Sequence, residues 1–295
     1  METSGCIPCV LRQTLKMIET LDLDESIGKV VLRKALNESA AILDSVPVPV
    51  ITRNIYDFVT SLTGIEDPFE NFKRSSTESA LRLYPVLSEV VERSGDPFIR
   101  ALEFSAAGNS IDLATIDESE LDDIVEWLSN FDRAVFSIDD TDILREEITR
   151  AKTVLFIGDN AGEIVLDRLF IELLKNPEIY FGVRGGAVLN DVTEKDARES
   201  GIDLPVKLIS SGSRIPGTLL SEVSPEFAEI FHSADVVIAK GQGNFETMDT
   251  VDRVVYHLFK VKCDIVANQI GCSTNDFIIW RRDPSNEVKT LNLRR

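Results

Sequence analysis

The sequence predicts an α/β protein in two parts. A helical amino-terminal subdomain spans residues 1–150, and a three-layer α/β/α domain with a mainly parallel sheet spans residues 151–295. Two observations carry this reading. Up to about residue 150, apolar residues recur at intervals of three and four, as in CVLRQTLKMIETL and ESALRLYPVLSEVVERS, the period of an amphipathic helix. From residue 151 onward, short and continuously apolar runs alternate with amphipathic stretches. Apolar strands separated by helices specify a parallel sheet covered on both faces.

In the first part, VPVP, GIEDPF and SGDPF punctuate the helices as turns. No strand pattern, internal repeat or low-complexity segment stands out there. SIDDTD, residues 137–142, follows the apolar VFSI. Its adjacent Asp139 and Asp140 lack the DxDxT spacing of haloacid-dehalogenase nucleophile loops, so it reads as the cap of the helix ILREEITRAK. In the second part, the strand TVLFIG leads to the helix EIVLDRLFIELLKN, and IYFGVR leads to DVTEKDARESG. VKLISS precedes a connection rich in Pro and Gly. ADVVIAK leads to a helix read over MDTVDRVVYHLFKV, and CDIVANQIG reads as a fifth strand. The tail STNDFIIWRRDPSNEV supports no assignment.

Composition narrows the function. The chain of 295 residues is 43% hydrophobic and 27% charged, the profile of a globular protein with a sizeable core. Its opening METSGCIPCV lacks the basic and apolar regions of a secretion signal. No apolar run approaches the roughly 20 residues of a membrane helix. The expectation is a cytoplasmic protein that does not contact membranes. A net charge of −19 repels polyanions, so no nucleic-acid partner is expected. A small anionic substrate remains possible where local cations or a metal reverse the field. The four cysteines, Cys6, Cys9, Cys263 and Cys272, do not form a secretory disulfide framework. Two histidines, His232 and His257, leave little room for imidazole-based zinc, triad or haem chemistry. Chemistry therefore rests on Asp, Glu, Asn, Lys and Arg, or on a metal held by oxygens. Nothing in the sequence sets the oligomeric state.

Ligands of doubly wound sheets bind at the carboxyl ends of the strands. The first strand ends in Gly158, Asp159 and Asn160, with Glu163 one turn on; the second ends in Arg184, followed by Asn190 and Asp191. The third ends in Ser210, Ser211 and Gly212, the fourth in Lys240 followed by Asn244 and Glu246, and the fifth in Asn268. Asp159 and Asn160 read either as a helix cap or, with Asp191, as oxygen ligands of a hard divalent cation. Lys240 before a Gly-rich turn reads either as a tight turn or as a phosphate-facing ammonium, although neither GxxxxGK[ST] nor GxGxxG is present. Asn109 and Asp112, in SAAGNSID, read either as a turn or as groups reaching over the rim. Cys6-Ile-Pro-Cys9 reads either as two small buried side chains or as half of a soft-metal or redox site, completed only if the fold brings up Cys263 and Cys272.

Taken together, GDNAGE, NDVT, KGQGNFE, GNSID and the amino-terminal CxxC, in this order and spacing from Cys6 to Gly271, resemble the DUF89 family. These are metal-dependent phosphatases, also called damage-control phosphatases, and the sequence looks most like their compact prokaryotic branch carrying CxxC. The resemblance implies a helical subdomain joined to an α/β/α subdomain, with one divalent cation in the cleft. It implies Asp159, Asn160 and Asp191 as metal ligands, and Lys240 and Asn244 facing the substrate phosphate. Asn109 and Asp112 fall on the family's Gly-Asn-x-x-Asp segment. It further implies activation by manganese, cobalt, nickel or magnesium, and substrates that are phosphate esters of sugars and related metabolites.

The expected reaction is metal-assisted phosphoryl transfer to water. Lys240, with Arg184, neutralises phosphate oxygens; either a metal-bound water, oriented by Glu163 or a further Asp, or a rim carboxylate forming an aspartyl-phosphate is the nucleophile. Asp159 and Asp191 are the acids nearest the chemistry. Two rivals stand beside this reading. One is a module that binds a nucleotide or sugar phosphate without turnover. The other is a methyltransferase, which the missing G-x-G-x-G after the first strand opposes.

Overall fold

The computed structural model describes residues 5–110, 121–131, 136–203 and 205–285. Helices come first: α1 Cys6–Thr20, α2 Glu25–Ser39, a 3₁₀ turn Ala40–Asp44, α3 Val48–Thr63, α4 Glu70–Arg93, α5 Pro97–Gly108 and α6 Leu121–Asn130. Then β1 Phe136–Asp139, α7 Thr141–Arg150, β2 Thr153–Ile157, α8 Ile164–Ile171, β3 Glu178–Val183, α9 Glu194–Glu199 and β4 Lys207–Ser210 follow. The chain continues through α10 Pro225–Ser233, β5 Val236–Lys240, α11 Gln242–Met248, β6 Val255–Lys260, α12 Asp264–Ile270 and β7 Phe277–Arg282. No helix among the described residues is long and apolar enough to cross a membrane.

Local chemistry sets many of these boundaries. Asp24 caps α2 by accepting from the Ser26 and Ile27 amides, and Asp96 caps α5 just before Pro97. Ser224 does the same before Pro225 of α10, and Thr193 with Asp196 closes a capping box on α9. Asp139 accepts from the Thr141 amide at the start of α7, while Asp140 accepts from the Arg281 amide at 2.7 Å. SIDDTD is therefore a helix entry and a strand-end tie.

The sheet has seven strands in the order β1-β7-β6-β5-β2-β3-β4. Strands β2 to β6 run parallel; β7 is antiparallel to β6 and parallel to β1. The α/β architecture is as the sequence predicts, and three assignments are corrected. VVYHLFK was expected within a helix, but Val255–Lys260 is strand β6. Its run rich in β-branched and aromatic residues suits a strand buried on both faces. CDIVANQIG was expected as a strand, but Asp264–Ile270 is helix α12, closed by Gly271 at φ 80 in the left-handed region. Asn268 is therefore on a helix and not at a strand end. Two strands, β1 and β7, were not anticipated. β1, of four residues, takes the sheet edge by pairing with β7, and β7 is placed by antiparallel pairing with β6 along its whole length.

Both sheet faces are buried. Val154, Phe156, Val236 and Ile238 point toward α4, α5 and α8; Leu155, Ile157, Val237 and Ala239 point toward α10 and α11. The first of these cores runs from Ala80 to Ile279. Residue 150 thus marks a change in sequence pattern and not a gap in the packing. Helices α1 to α3 have small cores of their own, one of which takes in Val188 from the β3–α9 connection. This seats the helical layer over the carboxyl rim of the sheet.

Lys73 of α4 fixes the same layering electrostatically. Its buried ammonium lies 2.7 Å from Asp67 and 2.8 Å from Asp196 at α9. Replacing it strands two carboxylates in a mostly dry site. Lys73→Met is expected to reduce unfolding free energy by about 3–5 kcal/mol, measured by urea denaturation; a loss under about 1 kcal/mol would show that the pair does not hold the layers together.

Candidate active site

The connection β4–α10–β5 returns across β2, so strand order reverses between β5 and β2. Such a switch point opens a crevice at the carboxyl ends. The chain leaves β2 there through Asp159 and Asn160, and leaves β5 through Gly241. Gly241 has φ 79, and a Cβ on it would lie 2.1 Å from Asp159 Cγ. Only glycine lets the acid sit at this point. The loop after β3 folds back to meet the loop after β2. Val192 N donates to Asp159 O at 2.8 Å and Ala161 N donates to Asn190 O at 3.0 Å. The resulting bridge pairs Asn160 with Asp191. Main-chain bonds thus bring the two predicted loops together.

Asp159 is 8% exposed, and its Oδ2 accepts only amide hydrogens, from Asn109 Nδ2 at 3.0 Å and Asn160 Nδ2 at 3.0 Å. Burial, then the charges of Glu163 and Asp191, push its carboxyl up to about 7, against the pull of Lys262 and Arg184. Asp191 accepts from Arg184 Nε at 2.7 Å. Its carboxyl is nevertheless raised by burial, which outweighs Arg184. Both terminal nitrogens of Arg184 are buried without a hydrogen-bond partner among the described residues. Neither Asp159 nor Asn160 caps α8, whose first turn has no side-chain cap. Asp191 is also no cap, since Thr193 fills that role for α9.

Lys240 faces away from the crevice. It continues the Val236–Ile238 face of β5, which points at α5 and α8. Its fully buried ammonium donates to Ser105 O at 2.8 Å, Glu163 Oε1 at 2.7 Å and Asp167 Oδ1 at 2.6 Å. All three donors are used, so none remains for a phosphate in this arrangement. Burial works against the charge of Glu163, but Lys240, Asn109 and Asn160 outweigh it and hold the carboxyl below its usual range. Asp167 is pushed up to about 6 by burial, despite Lys240. Asn244 is also committed to the scaffold. Its Nδ2 donates to Gly158 O at 3.2 Å and Lys240 O at 2.7 Å, and its Oδ1 accepts from Thr218 Oγ1 at 2.8 Å. Asn109, at the end of α5, bridges Asp159 and Glu163 through one amide nitrogen. Asp112 lies outside the described residues.

Two cavities open on this group. One, of about 380 Å³, is lined by Lys16, Asn109, Asn160, Glu163, Asn190 and Lys262, among others. The second, of about 200 Å³, holds Asp159 and Asp191 and shares Asn160, Asn190 and Lys262 with the first. Lys262 therefore stands where the two cavities meet. Its ammonium has no hydrogen bond or ion pair among the described residues. Sequence reading missed it because VVYHLFK was taken as helix. As a strand, that run ends at Lys260, which puts Lys262 on the rim.

A divalent cation suits this donor set. Asp159 is a buried acid beside two further acids, and only neutral amides touch it. Such a group gains most from a cation. Asn160 gives its amide nitrogen to Asp159 and Glu163, which leaves its oxygen as the remaining donor. The oxygen ligands are of the hard kind preferred by magnesium and manganese. No three His, Cys, Asp or Glu side chains among the described residues already surround one point, so the set draws on the asparagine as well as the acids.

The family described as "Damage-control phosphatase ARMT1-like domain" matches residues 3–278. The chain is 33% identical over 287 residues to damage-control phosphatase PH1575 of Pyrococcus horikoshii, covering 94% of this chain and 96% of that protein. It is 28% identical to a damage-control phosphatase of Archaeoglobus fulgidus, covering 92% and 96%. The crystal structure of a DUF89 family protein, PH1575 from Pyrococcus horikoshii, aligns with a TM-score of 0.82 at 30% identity, covering 94% and 98% of the two chains. Motifs, fold and relatives agree: this chain belongs to the damage-control phosphatase ARMT1-like family.

Proposed function

We propose that the chain is a divalent-cation-dependent phosphatase acting on small phosphorylated metabolites, with damaged or reactive phosphate esters as its substrates. The observation that carries this is Asp159, a buried carboxyl pushed up to about 7 among Glu163 and Asp191, at the mouth of a polar cavity in a family of phosphatases. Asp159, Asn160 and Asp191 would hold the ion, with manganese, cobalt, nickel and magnesium as candidates. When bound, a divalent cation withdraws charge from the phosphoryl group and acidifies a coordinated water.

The remaining work falls to the chain. Lys262 meets phosphate oxygens where the cavities join, and stabilises charge as it shifts in phosphoryl transfer. Arg184 orients Asp191, and its two terminal nitrogens keep unused hydrogen-bonding capacity beneath the crevice. Glu163, kept ionised, accepts a hydrogen from water and orients it. Asn109 keeps Glu163 and Asp159 at a fixed separation. Lys240 and Asn244 are positioning residues that hold these groups from beneath. The cavity volumes suit a sugar-sized ester, and the net charge of −19 opposes nucleic acid.

Three outcomes follow. Chelation should abolish phosphate release from an aryl phosphate, and manganese, cobalt, nickel or magnesium should restore it. Asp191→Asn should remove nearly all activity while the chain stays folded. Saturable ligand binding with no release under any metal would favour the non-catalytic module.

Lys240 and Lys262 should separate in kinetics and stability. Lys262→Ala should raise KM about tenfold, the loss of one charge-assisted hydrogen bond of roughly 1.5 kcal/mol, with an unchanged melting temperature. Lys240→Met should instead destabilise the fold by about 3–5 kcal/mol. The reverse pattern would return Lys240 to the substrate.

Acid stability tests the charge crowding. Folded Asp159 keeps its proton up to about pH 7, whereas an ordinary aspartate carboxyl releases it at 3.8. Its contribution to stability is therefore present at low pH and lost as pH rises through about 7; Asp167, pushed up to about 6, acts in the same direction. The chelated chain should melt higher near pH 5.5 than near pH 8, a slope expected from this linkage to be roughly flattened by cation loading. A chelated chain that is more stable at the higher pH would contradict the assignment.

A further inference from the structure

Three of the four cysteines converge on one place outside the catalytic crevice. Cys6 and Cys9 lie one turn apart on the same face at the start of α1. Cys263 is the N-cap residue of α12. The two helix starts pack together, since a Cβ on Gly5 would lie 3.0 Å from Ile265 Cδ1. Between them is a cavity of about 200 Å³, lined by Cys6, Cys263, Glu246 and Asp249, with apolar walls from Val46 and Val48; it adjoins the cavity of Asp159 and Asp191, which Glu246 and Val48 also line. Cys272 is not part of this group. It follows the far end of α12, and seven residues of helix put roughly 10 Å between it and Cys263.

We propose that Cys6, Cys9, Cys263 and Glu246 form a second metal site, distinct from the oxygen site, that binds a thiophilic divalent cation of the zinc type. CxxC at a helix start with a third cysteine from a distant turn is a common thiolate pattern for zinc, and a carboxylate is an accepted fourth ligand. The electrostatics agree. Cys6 is pushed up to about 11 by burial, then by Glu246, Cys263 and Cys9. Cys9 is raised by burial, Glu246 and Cys263, and Glu246 is raised by its own burial. Cys6, Cys9 and Glu246 are held toward their protonated forms first by burial, and a cation brought among them would favour their ionised forms. On binding, each thiol releases its proton to solvent and gives its sulfur lone pair to the ion. Arg12 and Lys262 stand close enough to offset part of the remaining negative charge. As they stand, no three of these groups surround one point among the described residues, so binding would require the thiols to turn about their Cα–Cβ bonds toward the ion.

The site would staple the first helix to the far side of the sheet. It would also fix the turn that carries Lys262. Gln242 already ties that turn together, accepting from the Lys262 amide at 2.8 Å and reaching Glu246 at 2.7 Å and Cys263 Sγ at 3.6 Å.

Cobalt is the probe, because an oxygen site gives no sulfur-to-cobalt charge-transfer absorption. The reduced full-length chain loaded with cobalt should show this near-ultraviolet band, and zinc should bleach it. The band should persist in Cys272→Ser and Asp159→Asn and be lost in Cys6→Ser, Cys9→Ser and Cys263→Ser. A measurement on the unaltered chain stands even if those variants misfold: zinc should lower its count of reagent-accessible thiols by three. A wild-type chain with no band, a band that survives Cys263→Ser, or thiols lost to a Cys6–Cys263 disulfide without metal would each overturn the proposal.

Discussion

One buried ammonium holds the crevice together. Lys240 is the last residue of β5, and its Nζ ties the sheet to α5 through Ser105 and to α8 through Glu163 and Asp167. From there a chain of hydrogen bonds runs outward to the surface. Lys240 keeps Glu163 ionised on one oxygen. The other oxygen accepts from Asn109 and Asn160, and these two amides in turn hold Asp159. Each side chain in this series is oriented by the one beneath it. Opposing charges in a low-dielectric interior are costly to separate, so the series is rigid. That rigidity is what a site for positioning an ion and a phosphate requires.

Acid is in excess along this series. Lys240 neutralises about one of the carboxylates Glu163 and Asp167, and Arg184 serves Asp191, but no cation touches Asp159. The surplus sits at the mouth of the crevice and not at its base, because the base is where Lys240 lies. A divalent ion at Asp159 would turn a repulsive rim into one that attracts phosphate, and Lys262 adds a positive charge where the two cavities meet. This explains how a chain of net charge −19 can admit an anionic substrate.

Much of this was legible in the sequence. Alternating apolar runs and helices identified the α/β sheet, and the strand-end rule identified Asp159, Asn160, Glu163, Arg184 and Asp191 as neighbours. What the sequence does not carry is side-chain direction. Lys240 lies at a strand end next to a Gly-rich turn, yet its parity with Val236 and Ile238 sends it into the interior. Parity could have been counted, but which face is covered by α5 and α8 depends on tertiary packing. VVYHLFK and CDIVANQIG were exchanged in type because a short apolar run carries no distinctive period, and Lys262 was lost with them. The four residues of FSID in edge strand β1 offer no signal alone, and β7 is set by its antiparallel pairing with β6.

The most direct test of the account is the position of a bound ion. Crystals of the full chain grown with manganese, measured for anomalous scattering, should show one peak within bonding distance of the carboxylate oxygens of Asp159 and Asp191, with Lys240 still turned toward Glu163 and Asp167. Active crystals with no peak there, or with Lys240 rotated into the crevice to meet the ion's phosphate partner, would contradict it.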